Sequence, residues 1–347
     1  PGKVTDHTSR IWTGLIRVTP RKGDHRVALR AAVCIAVPLL LLWALGRLDL
    51  AVYASFGAFA ALYGRHDSYI ERIRMQAEAG ATLVVSMLIG TALSALDAPA
   101  IVRVLVVSVL AATVTLLAYV WRWHPPGALF AVFAGGATAT LPASFATMGS
   151  VLLVGGLSAL FAIAVTTSIA LARRGLHRPP PRKRAPVGAV AWEMALTVGI
   201  GVALAGVAGL LLIGAHWYWA MVGAIAALSG AHVNARLVRG AQRLVGTLLG
   251  VLLAAGLLAI DLPPLAVIGV AVLCQVGAEL YVGRNYGIAM VFVTPLALLM
   301  VQLAAPSDPA LLLRDRIVDT VIGVTIGTLI AIGSAFLRRT HPAPPAP

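Results

Sequence analysis

Charges, prolines and glycines cut this chain into about twelve apolar segments, most of them close to 20 residues long. A helix rises about 1.5 Å per residue, so a hydrocarbon core of about 30 Å takes roughly 20 apolar residues to cross. The segments are 27–45, 48–64, 77–96, 99–120, 125–142 and 146–172, then 188–213, 216–230, 241–260, 263–282, 285–303 and 315–337. The expected fold is all-α, a polytopic integral membrane protein with about 12 transmembrane helices. Segments 48–64, 125–142 and 216–230 are short for a full span and rich in glycine or proline.

Composition closes off the other classes. Apolar residues make up 59% and charged residues 12% of the chain, with mean hydropathy +0.91. A soluble domain carries about 25% charged residues, so a soluble globular domain, a disordered chain and a disulfide scaffold are excluded. Cys34 and Cys274 both fall within apolar runs and read as packing residues. The first run starts near Arg26 and more spans follow, which reads as a retained helix and not a cleaved signal peptide.

The formal net charge of +14 would suggest nucleic acid in a soluble domain. In a membrane protein it marks cytoplasmic loops. With the N-terminus inside, 23 of the 27 Lys and Arg residues fall on the inner side, leaving Arg47, Arg103, Arg314 and Arg316 outside. The run RRGLHRPPPRKR at 173–184 sits between two long spans and reads as a positive-inside linker facing anionic lipid, with no nucleic-acid partner expected. The domain reading is a cytoplasmic segment 1–26, a six-helix unit 27–172, a basic linker 173–187, a second six-helix unit 188–338 and a Pro-rich tail 339–347.

The two units share a pattern. GAFAALYG at 57–64 recurs as GAIAALSG at 223–230, with six of eight positions identical. The same offset pairs His66 with His232, Gln76 with Gln242, Gly80 with Gly246 and Gly90 with Gly256, and a shorter one pairs Tyr119-Val120-x-Arg122 with Tyr281-Val282-x-Arg284. Because each unit has an even number of spans, both enter from the same side. They are expected to superpose by a rotation of roughly 180° about the membrane normal, as parallel repeats do.

Three stretches carry a resemblance. RLVRGAQRLVGTLLG at 236–250 places Arg236, Arg239 and Arg243 on one helix face and Gly246 and Gly250 in a GxxxG step. YWAMVGAIAALSG precedes it, and RIVDTVIGVTIG follows at 316–327. Together they resemble the fusaric-acid-resistance or aromatic acid exporter family, with a more distant similarity to plant aluminium-activated malate transporters. The resemblance implies a bacterial inner-membrane protein that exports aromatic carboxylic acids and similar organic anions, and the Lys and Arg count places both termini in the cytoplasm. The larger exporters carry sizeable cytoplasmic domains, for which the 173–187 linker leaves no room.

Candidate site residues follow from charge within or beside the spans. Arg122 and Arg284 stand between the fourth and fifth spans of the two halves. They are either ordinary inner-loop arginines or a symmetric pair that attracts carboxylates through the guanidinium fork. Arg74 and Arg243 form a second cationic pair beside Gln76 and Gln242. His124 opens the HPPG break at 124–127, which corresponds to Thr294-Pro295 in the second half, and broken helices at matched positions point to a binding site. Trp121, Trp123 and Tyr286 read as interfacial belt residues or as a stacking surface for an aromatic substrate. Glu78, Glu279 and Asp319 are the intramembrane acids considered for proton coupling. Ion pairs with Arg74, Arg284 and Arg316 respectively would explain them equally well. No metal site, cofactor or enzymatic motif is expected; Asp315 and Asp319, one turn apart, read as part of a structural charge cluster.

The sequence therefore points to an inner-membrane exporter or permease for small organic anions, with aromatic carboxylic acids foremost and the proton gradient as the drive. A passive anion channel of the same architecture and a non-transporting membrane scaffold or envelope-assembly subunit are the alternatives, and a homo-oligomer is compatible with any of them. The topology has a direct test. Cysteines introduced at both termini and in 173–187 are expected to resist an impermeant maleimide in intact cells and to react in inverted vesicles; labelling of the linker from outside would overturn the orientation.

Overall fold

The structure is a computed structural model that describes residues 17–18, 24–65, 67–172, 184–230 and 233–340, excluding the side chains of 337–340. His66, His232, most of the basic linker, the start of the N-terminal segment and the end of the Pro-rich tail lie outside the described residues.

The described residues are helical throughout. The first half holds α1 (Asp24–Ala44), α2 (Leu48–Leu62), α3 (Tyr69–Ala95), α4 (Ala100–Val120), α5 (Leu129–Thr140) and α6 (Phe145–Ala172). The second holds α7 (Ala189–Leu212), α8 (Tyr218–Leu228), α9 (Val233–Leu258), α10 (Pro264–Tyr281), α11 (Tyr286–Ala304) and α12 (Pro309–Thr340). Nine of these are long and apolar enough to cross a membrane, and α2, α5 and α8 are shorter apolar helices. Those three are the segments the sequence marks as short.

Local chemistry explains the boundaries. The Ser68 hydroxyl accepts the Glu71 amide to start α3, and the Asn285 side chain accepts the Ile288 amide at 3.1 Å to start α11. Pro99 and Pro263 stand at the N-caps of α4 and α10. The recurring eight-residue motif ends both times on a glycine with positive φ, Gly64 at +69° and Gly230 at +155°, a conformation that side-chain-bearing residues avoid. The HPPG stretch lies in the connection ahead of α5, whereas Pro295 sits within α11, so the two breaks are not built alike.

The exposure profile is that of a protein dissolved in lipid. On α10, Leu273 is 70% exposed while the neighbouring Gln275 and the deeper Glu279 are buried. Leucines 29, 211 and 252 are exposed in the same way on α1, α7 and α9.

Packing occurs where side chains are absent. A Cβ at Gly246 would lie 2.2 Å from the Gly287 carbonyl oxygen, and one at Gly250 would lie 2.7 Å from Thr294 Cβ, so the GxxxG step draws α9 onto α11. The first glycine of the recurring motif has a matching role in each half. Gly57 of α2 abuts the Gly155 carbonyl of α6, and Gly223 of α8 abuts Gly323 of α12.

The helix contacts also come in matching sets. Within the halves, α3 packs on α5 as α9 packs on α11, and α2 on α6 as α8 on α12. Between the halves, α1 packs on α10 and α7 on α4, while α2 meets α11 and α8 meets α5.

Gly246→Ala therefore carries a specific penalty. Overpacking of this kind costs about 1–3 kcal/mol, and thermal unfolding in detergent is expected to shift down accordingly. Gly256→Ala, with nothing within 4 Å of the added methyl, is expected to hold or raise stability.

Candidate functional site

A cavity of about 100 Å³ lies where the two halves meet. The first half supplies an aromatic wall. Phe56 and Phe59 of α2 face Phe130 and Phe133 of α5, with Phe56 edge-on to Phe133 at 4.9 Å and Phe59 tilted against Phe130 at 5.3 Å between centroids. Aromatic pairs favour such edge arrangements. The second half supplies the charged groups and an amide: Arg243 from α9, Gln275 and Glu279 from α10, and Arg316 from α12.

Arg243 and Arg316 are each 2% exposed. Arg243 donates through Nη1 to the Tyr286 hydroxyl at 2.8 Å and to Met290 Sδ at 3.4 Å. Arg316 lies over the Trp219 ring at 4.8 Å, a cation–π contact, and Arg239 lies over Tyr286 at 4.0 Å. The Nε atoms of Arg243 and Arg316 have no hydrogen-bond partner, and among the described residues neither guanidinium forms an ion pair with a carboxylate. Each also repels the other. An arginine at the centre of a membrane helix costs about 2.5–3.5 kcal/mol even on the mildest scale. Two such groups beside an apolar cavity can attract an anion.

A second set of charges joins the halves. The Arg65 guanidinium, in the α2–α3 connection, forms an ion pair with Glu279 of α10. Arg284 donates from Nε to Asp24 Oδ2 of α1 at 2.8 Å. Glu279 also accepts from Gln275 at 3.4 Å, and Arg30 of α1 donates to the Ala61 carbonyl at 3.3 Å. The helix-neighbour pair expected between Glu279 and Arg284 is not formed; Glu279 pairs with Arg65 and Arg284 with Asp24, both in the other half.

The remaining sequence candidates are dispersed. Arg122 is exposed on the connection after α4, so the structure does not bring it together with the ion-paired Arg284, and neither lines the cavity. Arg74 is surface-exposed and bridges Glu78 at 3.0 Å; Glu78 also accepts from Trp123 Nε1 at 3.1 Å. Gln76 is fully buried with its amide aimed at the Ala61 carbonyl, at 3.5 Å, and Gln242 is buried beside the α9–α11 contact. His124 is exposed. Trp121 and Trp123 pack on each other at 5.6 Å, away from the cavity.

Asp319 departs from its expected ion pair with Arg316. It is fully buried on α12, and neither carboxylate oxygen has a hydrogen-bond partner. Its neighbour Asp315 does have partners, His216 Nδ1 at 2.9 Å and Arg314 at 2.9 Å. No cluster of metal-binding side chains occurs among the described residues.

The sequence reading missed Arg316 and the phenylalanines. The charge count groups Arg316 with the outer-side arginines, and α12, which begins at Pro309, carries it two turns into the helix. The helical start at Asp308-Pro309 is the signal that places it within a span. The four phenylalanines converge only in the folded bundle, where rings from α2 and α5 meet at the cavity.

Comparison with known proteins bears on the second half. Residues 202–330 match the family described as fusaric acid resistance protein-like, a stretch running from α7 into α12 that includes Arg243, Gln275, Glu279, Arg316 and Asp319. No curated protein and no solved structure matches the chain.

The Arg65–Glu279 pair is a candidate tie between the halves. Glu279→Gln leaves Arg65 uncompensated in a buried setting, and breaking such a pair costs about 3–5 kcal/mol. Thermal unfolding should fall in the single variant and recover in the Arg65→Gln/Glu279→Gln double variant. Equal losses in single and double variants would show that the pair carries no coupling.

Proposed function

We propose that this membrane protein, whose segment 202–330 belongs to the fusaric acid resistance protein-like family, carries small organic anions across the bilayer and binds them in the cavity between its halves. The observation that carries this reading is the pairing of two buried guanidiniums free of carboxylates with a wall of four phenylalanines. An inorganic anion would be served by the charges alone. A carboxylate attached to an aromatic ring uses both: the ring takes the phenylalanine wall, and the carboxylate takes the fork of Arg243 or Arg316. A non-transporting scaffold has no need of buried, unpaired cations, which are costly to keep.

The matching helix contacts support a two-fold relation between the halves, and the cavity lies between them. Only the second half places arginines there. The first-half position that corresponds to Arg243 is Ala77, so the anion site is asymmetric within a symmetric frame. Transport across a bacterial inner membrane, coupled to protons, is the mode this reading favours.

Labelled benzoate in proteoliposomes tests the proposal, with acetate and neutral benzamide as competitors. Benzoate uptake is expected to saturate and to resist both competitors, because acetate lacks the ring and benzamide the charge. A hydrogen bond to a charged group contributes about 1.5–3 kcal/mol, so Arg243→Gln and Arg316→Gln should each lower benzoate uptake by roughly tenfold or more, with lysine restoring part of it. Arg122→Gln, on an exposed connection, should leave it unchanged. Wild-type uptake in the Arg243→Gln/Arg316→Gln double variant would remove the cavity from the mechanism.

A further inference from the structure

We infer that Asp319 is a proton-binding site linked to the anion site through Arg316, so that a proton on Asp319 and an organic anion on Arg316 bind together. The inference rests on the anion site proposed above and adds to it a second ligand and the sign of the coupling. Its basis is the placement of two buried charges that do not meet. Asp319 is 0% exposed and Arg316 is 2% exposed, they stand three residues apart on α12, and no ion pair joins them. Residues at this spacing share a helix face, so a change of side-chain rotamer brings the carboxylate to the guanidinium.

The surroundings single out Asp319. From α7 it meets Gly209, where a Cβ would lie 3.0 Å from Oδ1. From α8 the nearest ionisable group is Tyr218, a neutral phenol. From the α7–α8 connection, His216 is held by Asp315. On its own helix Asp315 adds negative charge, Arg314 is paired with Asp315, and Arg316 faces the cavity beside Arg243 of α9. A carboxylate in this setting has lost its water and gained no hydrogen-bond donor.

The sign of the linkage follows from charge. With Asp319 protonated, Arg316 has no internal counter-ion and offers its full charge to a carboxylate in the cavity. When the proton returns to water, the Asp319 carboxylate can take Arg316 and compete with the bound anion. Protonation therefore strengthens anion binding, and by reciprocity the anion strengthens proton binding. Proton and anion then move together and do not exchange, so the direction of net transport follows the sum of their two gradients.

The test is the affinity of the purified protein for benzoate, measured by calorimetry between about pH 6 and pH 9, where benzoate stays ionised as carboxyl groups do above roughly pH 5. In the wild type, affinity should fall by at least about fivefold as pH rises, the lower end of usual site–site coupling. Asp319→Asn, which mimics the protonated acid, should bind at the tight, low-pH level across the range, and Asp319→Glu should restore the pH dependence. His216→Gln should leave it in place. A flat wild-type profile, a pH dependence that survives in Asp319→Asn, or one abolished by His216→Gln instead would each overturn the inference. An independent readout is the protonated-carboxyl stretch in pH-difference infrared spectra without benzoate, expected in the wild type and missing in Asp319→Asn. If that band behaves as expected while benzoate binds at no pH, the proton site stands and the anion reading fails. If benzoate binds and the band is unaltered by Asp319→Asn, the anion reading stands and the proton site fails.

Discussion

Lipid tails are as apolar as leucine, so burying leucine against leucine does little to draw two helices together in a membrane. Close backbone packing has to do it. In this protein that packing is concentrated at glycines: Gly57 against Gly155, Gly223 against Gly323, and Gly246 and Gly250 against Gly287 and Thr294. Each contact seats one helix of a half against another at a distance no side chain would permit. The short helices α2 and α8 are held in place this way, and they frame the cavity. Were α2 displaced, Phe56 and Phe59 would leave the aromatic wall.

Charge is distributed on a different logic. The lipid-facing surface is apolar, and ionisable groups turn inward, where they either pair or stay costly. The paired ones stitch the halves at the α1–α10 interface through Arg65–Glu279 and Arg284–Asp24. Arg243, Arg316 and Asp319 of the second half are buried without an ion pair, the two arginines lining the cavity, and Arg30 of the first half is buried with a bond to the Ala61 carbonyl.

The interface between the halves is uneven as a result. On one side α1 and α10 are joined through ion pairs. On the other, α4 and α7 meet through small residues, with Gly199 against Ala112.

Much of the architecture was legible in the chain because lipid imposes a simple length rule. Twelve apolar segments, the three short ones among them, and the glycine step on α9 all follow from local composition. Intramembrane arginines and acids were equally legible as suspects, since their cost does not depend on the fold. Which of them matter was not. Helix-neighbour spacing suggested partners for Glu279 and Asp319, but α1 and the α2–α3 connection supply Asp24 and Arg65 from far along the chain, which take Arg284 and Glu279 and leave Asp319 alone. The sequence by itself determined what must lie in the membrane, because that depends on the summed hydropathy of each segment. Only the tertiary structure decided which charges are satisfied and which face a cavity, because a counter-ion is set by distances of a few ångströms between helices that the chain order does not contain.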